Sequence, residues 1–441
     1  MELRDLICTP FIILFVYGGA YLVRPHVTDS INRRYFIPAL SVRMIGAISL
    51  GLLYQFYYSG GDTYNYHTFG SRIVWESFIE NPMQGLRLIF GDIQDDASVY
   101  KYSSGILFLR DPSSFFIVRI SSFFDILTFS SYAGTAVLFA ATSFAGSWAF
   151  YLTFYNRYPR LHFTLALVTF FVPSLFFWGS GILKDTLVLA ALGFATYFID
   201  KLLIQRKWSL RTLIYLAISL FIIFEIKKFV LQAFIPAALL WIYFKYLMTI
   251  RSIVLRVLIF PVIIGFVSYL GYYIVVKVGE GDARYSVNQL AYTAKITAYD
   301  IGFYTGRDAG SHYSLGELEG TFGDMIQKAP AAINVALFRP YLWEAKNLLM
   351  FFSAIESLVC GLLVGYVIFL KKGKLAESFK NPDLVFLMTF SIVMAFAVGI
   401  TSYNFGTLSR YKVTLLPFFL TAMIIVKYKF YITTRTADVK E

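Results

Sequence analysis

The chain has 441 residues, of which 58% are hydrophobic, 19% aromatic and only 15% charged. A soluble domain of average composition carries about 25% charged residues, and disordered chains are poor in aromatic residues, so both classes are excluded. The net charge of +12 would suggest nucleic acid binding in a soluble protein. In a membrane protein it is first explained by the positive-inside rule. Cys8 and Cys360 lie in apolar stretches, without the spacing of a disulfide framework or a metal site.

Apolar stretches long enough to cross a bilayer recur along the whole chain. A transmembrane helix needs about 20 mostly apolar residues. The sequence therefore predicts an all-α, polytopic transmembrane helical bundle with about eleven spans, within a range of about ten to thirteen. The predicted spans are 7–23, 42–58, 132–153, 161–178, 184–203, 209–225, 229–248, 257–276, 347–370, 383–401 and 410–429.

The loops between these spans alternate between basic and mixed character. One alternate set of loops, counted with Arg43, holds 21 basic residues against 6 acidic residues. The rest of the chain holds 18 basic residues against 21 acidic residues. Because basic loops stay in the cytoplasm, we expect the N-terminus outside and the C-terminus in the cytoplasm.

The predicted organisation is a single integral membrane domain, 1–441, with two long external segments, 59–131 and 277–346. Residues 113–130 are apolar but contain an arginine and an aspartate. A span there would turn every later basic loop outward, so we predict an interfacial or re-entrant helix instead. Long loops in a compact domain are more often functional than structural, so the chemistry is expected in the external segments.

Residues 60–67, with the sequence GGDTYNYH, follow the second predicted span on the external side. The two glycines allow a sharp turn that would hold Asp62 near the membrane surface. A carboxylate there can act as general base toward a sugar hydroxyl, with Tyr66 and His67 beside it for hydroxyl binding or ring stacking. The structural alternative is a helix-terminating turn with an Asx hydrogen bond.

A second candidate motif lies where the chain turns outside and enters the span that begins at 184. Trp178-Gly179-Ser180-Gly181 precedes Lys184 and Asp185. A helix N-terminus with nearby glycines and a lysine suits a phosphate or diphosphate. The structural alternative is an interfacial turn with a snorkelling lysine.

The second external segment mixes acids, arginines and aromatic residues, among them His312 and Glu317. It closes on Phe338-Arg339-Pro340-Tyr341-Leu342-Trp343-Glu344. The Arg339 fork suits diphosphate oxygens, whereas Trp343 and Glu344 suit a sugar ring and its hydroxyls. The alternative is an amphipathic surface lid.

Arg410 and Lys412 begin the last predicted span, where cations are costly without partners. They are candidates for the same lipid diphosphate, and the alternative is contact with anionic headgroups. Glu356 lies inside a predicted span. It is either a functional intramembrane acid or a hydrogen-bonding group between helices.

Gly60, Asp62 and Tyr66, placed externally after two spans, form a Gly-x-Asp-x-x-x-Tyr string. This string resembles the bacterial exopolysaccharide and O-antigen polymerases, often called Wzy-type. The early external aspartate, the many spans and the large external loop are also similar to the C-type glycosyltransferases, which use polyprenyl-phosphate sugars. Arg410-Tyr411 followed by Pro417 is similar to the terminal arginine region of several such proteins.

The resemblance implies that Asp62 is the base and that Arg339 and Arg410 hold the lipid diphosphate. The first long external loop follows span two, which fits the polymerases and departs from the C-type pattern. The implied localisation is the bacterial cytoplasmic (inner) membrane.

Together these features predict glycosyl transfer or glycan polymerisation from a polyprenyl-(di)phosphate-linked sugar at the external face. Asp62 would be catalytic; Lys184, Arg339 and Arg410 would bind phosphate; Tyr66, His67, Trp343 and Glu344 would bind substrate. No cofactor motif is recognised, and a divalent metal stays open. Expected partners are the lipid-linked glycan, membrane lipids and envelope-biosynthesis proteins, but not nucleic acid. The alternatives are a transporter or flippase for a lipid-linked glycan and a non-catalytic subunit of an envelope complex.

Overall fold

The protein is all-α across the residues described by a computed structural model. Those residues form helices and contain no β-strand. Besides scattered positions between 250 and 286, the described ranges are 2–93, 96–248, 289–306, 310–371 and 380–438.

The helices follow one another closely along the chain. In the first half they are α1 (Leu3–Val27), α2 (Arg33–Phe56), α3 (Asp62–Tyr66), α4 (Arg72–Glu80), α5 (Pro82–Phe90), α6 (Tyr100–Ser103), α7 (Pro112–Thr128), α8 (Tyr132–Tyr155), α9 (His162–Phe170), α10 (Pro173–Trp178), α11 (Lys184–Ile199), α12 (Leu210–Ile226) and α13 (Lys228–Leu247). In the second half they are α14 (Leu290–Asp300), α15 (Phe322–Phe338), α16 (Leu348–Lys371), α17 (Pro382–Ser402), α18 (Phe405–Tyr411) and α19 (Leu416–Asp438). Turns of π-helix continue α3, α11 and α14 at His67–Ser71, Asp200–Ile204 and Ile301–Gly306.

Several helix starts follow directly from the sequence. Proline, whose missing N–H and fixed φ suit the first helical turn, begins α5, α7, α10 and α17. Asn381 caps α17 by accepting a hydrogen bond from the Asp383 amide at 3.2 Å. Thr321 caps α15 in the same way, through the Asp324 amide at 3.3 Å.

The protein is a multi-pass membrane protein, because several of its helices are both long and apolar. Within the described ranges, seven helices meet this test, and a pair bent by 63° would add an eighth if it is one span. The seven are Leu3–Val27, Arg33–Phe56, Tyr132–Tyr155, Lys184–Ile204, Lys228–Leu247, Leu348–Phe369 and Pro382–Ser402, and the bent pair is Phe405–Thr414 with Leu416–Tyr428.

The candidate spans confirm the predicted helical, polytopic architecture, whereas the number of spans stays a prediction. Predicted span 161–178 is divided between α9 and α10, and 209–225 corresponds to the 17-residue α12. Predicted span 257–276 lies outside the described ranges apart from a few positions. Of the predicted interfacial or re-entrant stretch 113–130, residues 113–128 lie in the single helix α7, which buries Ser121, Ser122 and Asp125, and the last two residues form a turn.

The chain divides into two compact units. The first unit comprises residues 1–153, 169–197 and 215–227, and the second comprises 154–168, 198–214 and 228–441.

In the first unit, α8 and α11 approach closely through glycine. A Cβ atom on Gly193 would lie 2.0 Å from the carbonyl oxygen of Gly146, and one on Gly146 would lie 2.2 Å from that of Ala190. In the second unit, a Cβ on Gly399 of α17 would lie 2.0 Å from the Ala332 oxygen of α15. Such small-residue contacts let membrane helices pack by van der Waals contact where no hydrophobic driving force acts.

The turn between α10 and α11 is held by Arg43, a fully buried residue of α2. Its guanidinium donates to the carbonyl oxygens of Leu175 at 2.8 Å and Gly179 at 3.0 Å. It also donates to the hydroxyls of Ser143 at 3.0 Å and Ser147 at 2.9 Å. Because α10 ends at Trp178, its terminal carbonyls need donors, and Arg43 supplies them inside the protein.

Candidate functional site

The GGDTYNYH string forms the predicted sharp turn. Ser59, Gly60 and Gly61 have φ of 55°, 133° and 124°, and a Cβ on Gly61 would lie 2.8 Å from the Tyr54 ring. Glycine is therefore required at 61 for both conformation and space. Asp62 follows as the first residue of α3 and is half-buried.

Tyr66 and His67 turn into the first unit instead of lining a surface beside Asp62. Their exposed fractions are 3% and 0%. The Tyr66 ring contacts Phe108 at 5.1 Å, and the His67 ring contacts Tyr132 edge-on at 5.4 Å. The two aromatic side chains predicted to work with Asp62 are therefore packed inside the first unit, whereas Asp62 itself is half-buried.

Lys184 begins α11, as predicted, but its charge is already matched. Its ammonium lies 3.2 Å from the Asp111 carboxylate and donates to the Ser113 hydroxyl at 2.7 Å. Burial raises the pKa of Asp111, but the hydrogen bond from Ser114 and the charge of Lys184 outweigh it, so the pKa lies below its usual value. A phosphate at Lys184 would have to compete with this carboxylate.

In the second unit, three predicted residues do come together after α15. Arg339 Nε donates to Glu344 Oε2 at 3.0 Å, and its Nη2 pairs with Oε1. Glu344 also accepts the Tyr341 amide at 2.8 Å. Burial raises the pKa of Glu344, but these two donors outweigh it and lower the pKa, so the pair is ionised. Trp343 is 82% exposed and stacks on Tyr341 at 4.9 Å.

Aromatic rings surround the Arg339 guanidinium. It lies 5.2 Å from the Phe405 ring, 5.7 Å from Tyr313 and 5.8 Å from Tyr341, all within cation–π range. Phe405 begins α18, and the same helix carries half-buried Arg410 near its other end. Arg339 and these three rings, called the Arg339 assembly below, therefore include the first residue of the helix that carries Arg410.

A cleft of about 720 Å³ opens in the same unit. Tyr299 and Phe303 stack with ring centroids 5.5 Å apart and planes 7° from parallel. The Lys295, His312 and Glu317 side chains at the cleft are exposed and come from separate segments, whereas Tyr403 is buried. The lining includes Lys295, Tyr299, Phe303, His312, Glu317 and Tyr403.

The cleft is joined to the Arg339 assembly by Tyr313. The Tyr313 ring lies 5.6 Å from Tyr403, which lines the cleft, and 5.0 Å from Phe405. Backbone bonds fix this arrangement, since Tyr313 donates to the Tyr403 carbonyl at 3.1 Å and Phe405 donates to the Ser311 carbonyl at 2.9 Å. Sequence reasoning noticed His312 and Glu317 but missed Tyr299, Phe303 and Tyr403. The i, i+4 spacing of Tyr299 and Phe303 is the signal that could have identified them, because residues at this spacing share a helical face.

Lys412, at the end of α18, is buried near Glu356 of α16. Its ammonium donates to the Ser357 hydroxyl at 3.2 Å and lies 3.9 Å from Glu356 Oε1. Ser357 in turn donates to the Arg339 carbonyl at 3.0 Å. The intramembrane acid and the buried cation noted in the sequence therefore face each other beneath Arg339.

Within the described ranges, no group of three or more His, Cys, Asp or Glu side chains is placed to hold a metal ion. Comparison of the chain with protein-family models, with curated proteins and with solved structures finds no match.

Proposed function

We propose that the protein transfers or polymerises glycans carried on polyprenyl (di)phosphate, at the external face of the bacterial cytoplasmic membrane. The observation that supports this best is the cleft, which Tyr313 links to Arg339. Stacked Tyr299 and Phe303 offer a platform for a sugar ring, and the neighbouring guanidinium offers a fork for phosphate oxygens. A lipid-linked sugar presents these two chemical groups next to each other.

In the proposed reaction, a carboxylate removes the proton of the acceptor hydroxyl. The hydroxyl oxygen attacks the anomeric carbon, and the lipid (di)phosphate leaves with the bonding electron pair. Asp62 stays the predicted base, while Arg339 and Arg410 stabilise the departing charge. Because Glu344 pairs with Arg339, binding a phosphate requires that carboxylate to give up part of its contact.

The cleft is tested with a complemented deletion strain of the source organism, scored by polymer ladders on a gel. We expect Tyr299→Ala/Phe303→Ala to shorten the ladder and to reduce polymer at least tenfold, a loss equivalent to about 1.4 kcal/mol. Trp208→Ala is the control, because Trp208 is also an exposed aromatic residue but lies on the predicted cytoplasmic side. Full ladders from the double variant would contradict the cleft's assignment.

The predicted base and phosphate ligand are tested separately. Asp62→Asn and Arg410→Ala should insert and accumulate as the wild-type protein does, yet fail to form polymer. Wild-type ladders from both variants would end the glycosyl-transfer proposal, whatever the cleft variants show.

A transporter or flippase for a lipid-linked glycan is the second candidate, and broken helices favour it. The α18–α19 pair is bent by 63°, and the α10–α11 turn is held by buried Arg43. Interrupted membrane helices of this kind form binding sites in many transporters. Movement of a polyprenyl-diphosphate sugar across proteoliposomes without bond formation would favour this function over the enzyme.

A further inference from the structure

The first unit contains a titratable pair that the proposed function does not use. His67 lies in the π-turn after α3, and Asp125 lies on α7. Both side chains are completely buried, and neither belongs to a candidate span. Buried ionisable groups are rare unless they are paired or change their protonation state.

Asp125 is surrounded mainly by hydroxyl groups. It accepts hydrogen bonds from Ser71 at 2.7 Å, from Ser130 at 3.5 Å and from Thr135. Its ion-pair contact is with His67 Nε2, 3.6 Å from Oδ1. Hydroxyls hold a carboxyl group in place without supplying the full positive charge that would keep it ionised.

His67 faces Asp125 with unused hydrogen-bonding capacity. Within the described ranges, neither ring nitrogen has a partner in good hydrogen-bonding geometry, although a weaker interaction with the Ser130 backbone raises the pKa of the ring. A neutral imidazole has one donor and one acceptor, so Nε2 is free to accept a proton donated by a carboxylic acid. The 3.6 Å gap exceeds hydrogen-bond range by about 0.5 Å, which a small side-chain rotation closes.

We propose that His67 and Asp125 form a proton-binding site, in which one proton on the Asp125 carboxyl is directed toward Nε2 of neutral His67. The pair then carries no net charge, as its buried position requires. The site's ligand is the proton itself, and the inference is independent of any activity on glycans.

The electrostatics of the surroundings support this assignment. Burial raises the pKa of Asp125 to about 7, against the opposing effects of Thr135, Ser71, Arg72 and Ser130. Burial lowers the pKa of His67 to about 3; Arg72 and Arg4 add to this, whereas Asp5 and the Ser130 backbone oppose it. The other titratable groups near the pair are Glu2, paired with Arg72 at 2.6 Å, and Tyr132, in contact with the His67 ring.

The two shifts have opposite effects on stability. Unfolded Asp and His titrate near about 3.9 and 6.5. Stability from Asp125 is present below about pH 4 and is lost as the pH rises through about 7. Stability from His67 is present above about pH 6.5 and is lost as the pH falls through about 3. Between about pH 4 and 6.5 the pair binds one proton in the folded state and one in the unfolded state. The two pH dependences of the free energy of unfolding therefore cancel in this range.

Single variants of the full chain in detergent micelles separate the two contributions. Thermal unfolding of each variant is measured as a function of pH. Relative to wild type, His67→Gln should lose stability from about pH 4 to 7, and Asp125→Asn should gain stability from about pH 4 to 6.5. Each slope corresponds to about a tenfold change in the folding equilibrium constant per pH unit. Ser77→Ala is the control, because Ser77 is a buried serine of neighbouring α4 and should change no slope.

Infrared spectra keep the proposal testable if a variant does not fold. The wild-type protein should show the carbonyl stretch of a protonated carboxyl at about pH 6 that disappears above about pH 8, and Asp125→Asn should abolish it. Parallel pH profiles for wild type and both variants, or no such band in the wild type, would overturn the site. Loss of polymer formation by Asp62→Asn would leave these results unaffected.

Discussion

Lys227 and Asp185 form an ion pair inside the first unit, with side-chain exposures of 8% and 0%. The two residues are 42 positions apart in the sequence, at the end of α12 and in the first turn of α11. Removing one partner of such a pair leaves an uncompensated charge in a medium that solvates it poorly. The pair therefore fixes which ends of these two helices meet.

We expect Lys227→Met to lower the free energy of unfolding by about 3–5 kcal/mol, because Asp185 would remain buried and charged. Thermal unfolding in detergent measures this effect. Lys227→Met/Asp185→Asn should recover most of the loss, since no charge remains. Exposed Lys207→Met, the control, should stay within about 0.5 kcal/mol of wild type. Equal losses in the single and double variants would show that the cost comes from packing.

At the scale of helices, the glycine contact between α8 and α11 predicts a strongly position-dependent effect. Gly193→Ala places a methyl group 2.0 Å from the Gly146 carbonyl, so the helices must separate. We expect a loss of about 1–3 kcal/mol in thermal unfolding. Gly365→Ala on α16 meets open space and should be neutral or stabilising by up to about 1 kcal/mol. The same loss in both variants would contradict the contact.

The helices were more predictable than the contacts between them. Apolar length predicted most of the candidate spans, and Gly179 with Gly181 indicated a turn before α11. The role of Arg43 could not be predicted, because its partners Ser143 and Leu175 lie 100 and 132 residues away. A single sequence contains no signal for such pairing, and the same holds for His67 with Asp125.

The candidate site was predictable only where its residues are close in sequence. Arg339, Trp343 and Glu344 lie close together in the sequence; Arg339 pairs with Glu344, and Trp343 stacks on Tyr341 beside them. The cleft joins α14 to Tyr403, about a hundred residues later, so sequence reasoning could not place its walls together. Tyr66 and His67 show the opposite behaviour. They are close to Asp62 in the sequence, but their side chains are buried in the first unit.

For the whole molecule, the distribution of basic residues predicts a topology that labelling can test. In a Cys8→Ala/Cys360→Ala background, Met83→Cys and Trp208→Cys introduce thiols at exposed positions. A membrane-impermeant maleimide added to intact spheroplasts should modify Met83→Cys, and should modify Trp208→Cys only after lysis. The reverse pattern would invert the topology and place the cleft variants on the wrong side for the proposed reaction.

The buried Arg43 also places a charged group inside a helix long and apolar enough to cross a membrane. Its guanidinium is buried within a candidate span and hydrogen-bonds to neutral oxygens; among the described residues it has no ion-pair partner. Moving one elementary charge across the full membrane potential is worth about 2.3 kcal/mol per 100 mV. A charge held part of the way across experiences a fraction of that energy. In the proposed cytoplasmic membrane, an inside-negative potential would therefore exert a force on Arg43, and through its hydrogen bonds on the α10–α11 turn, that de-energising the cell would remove.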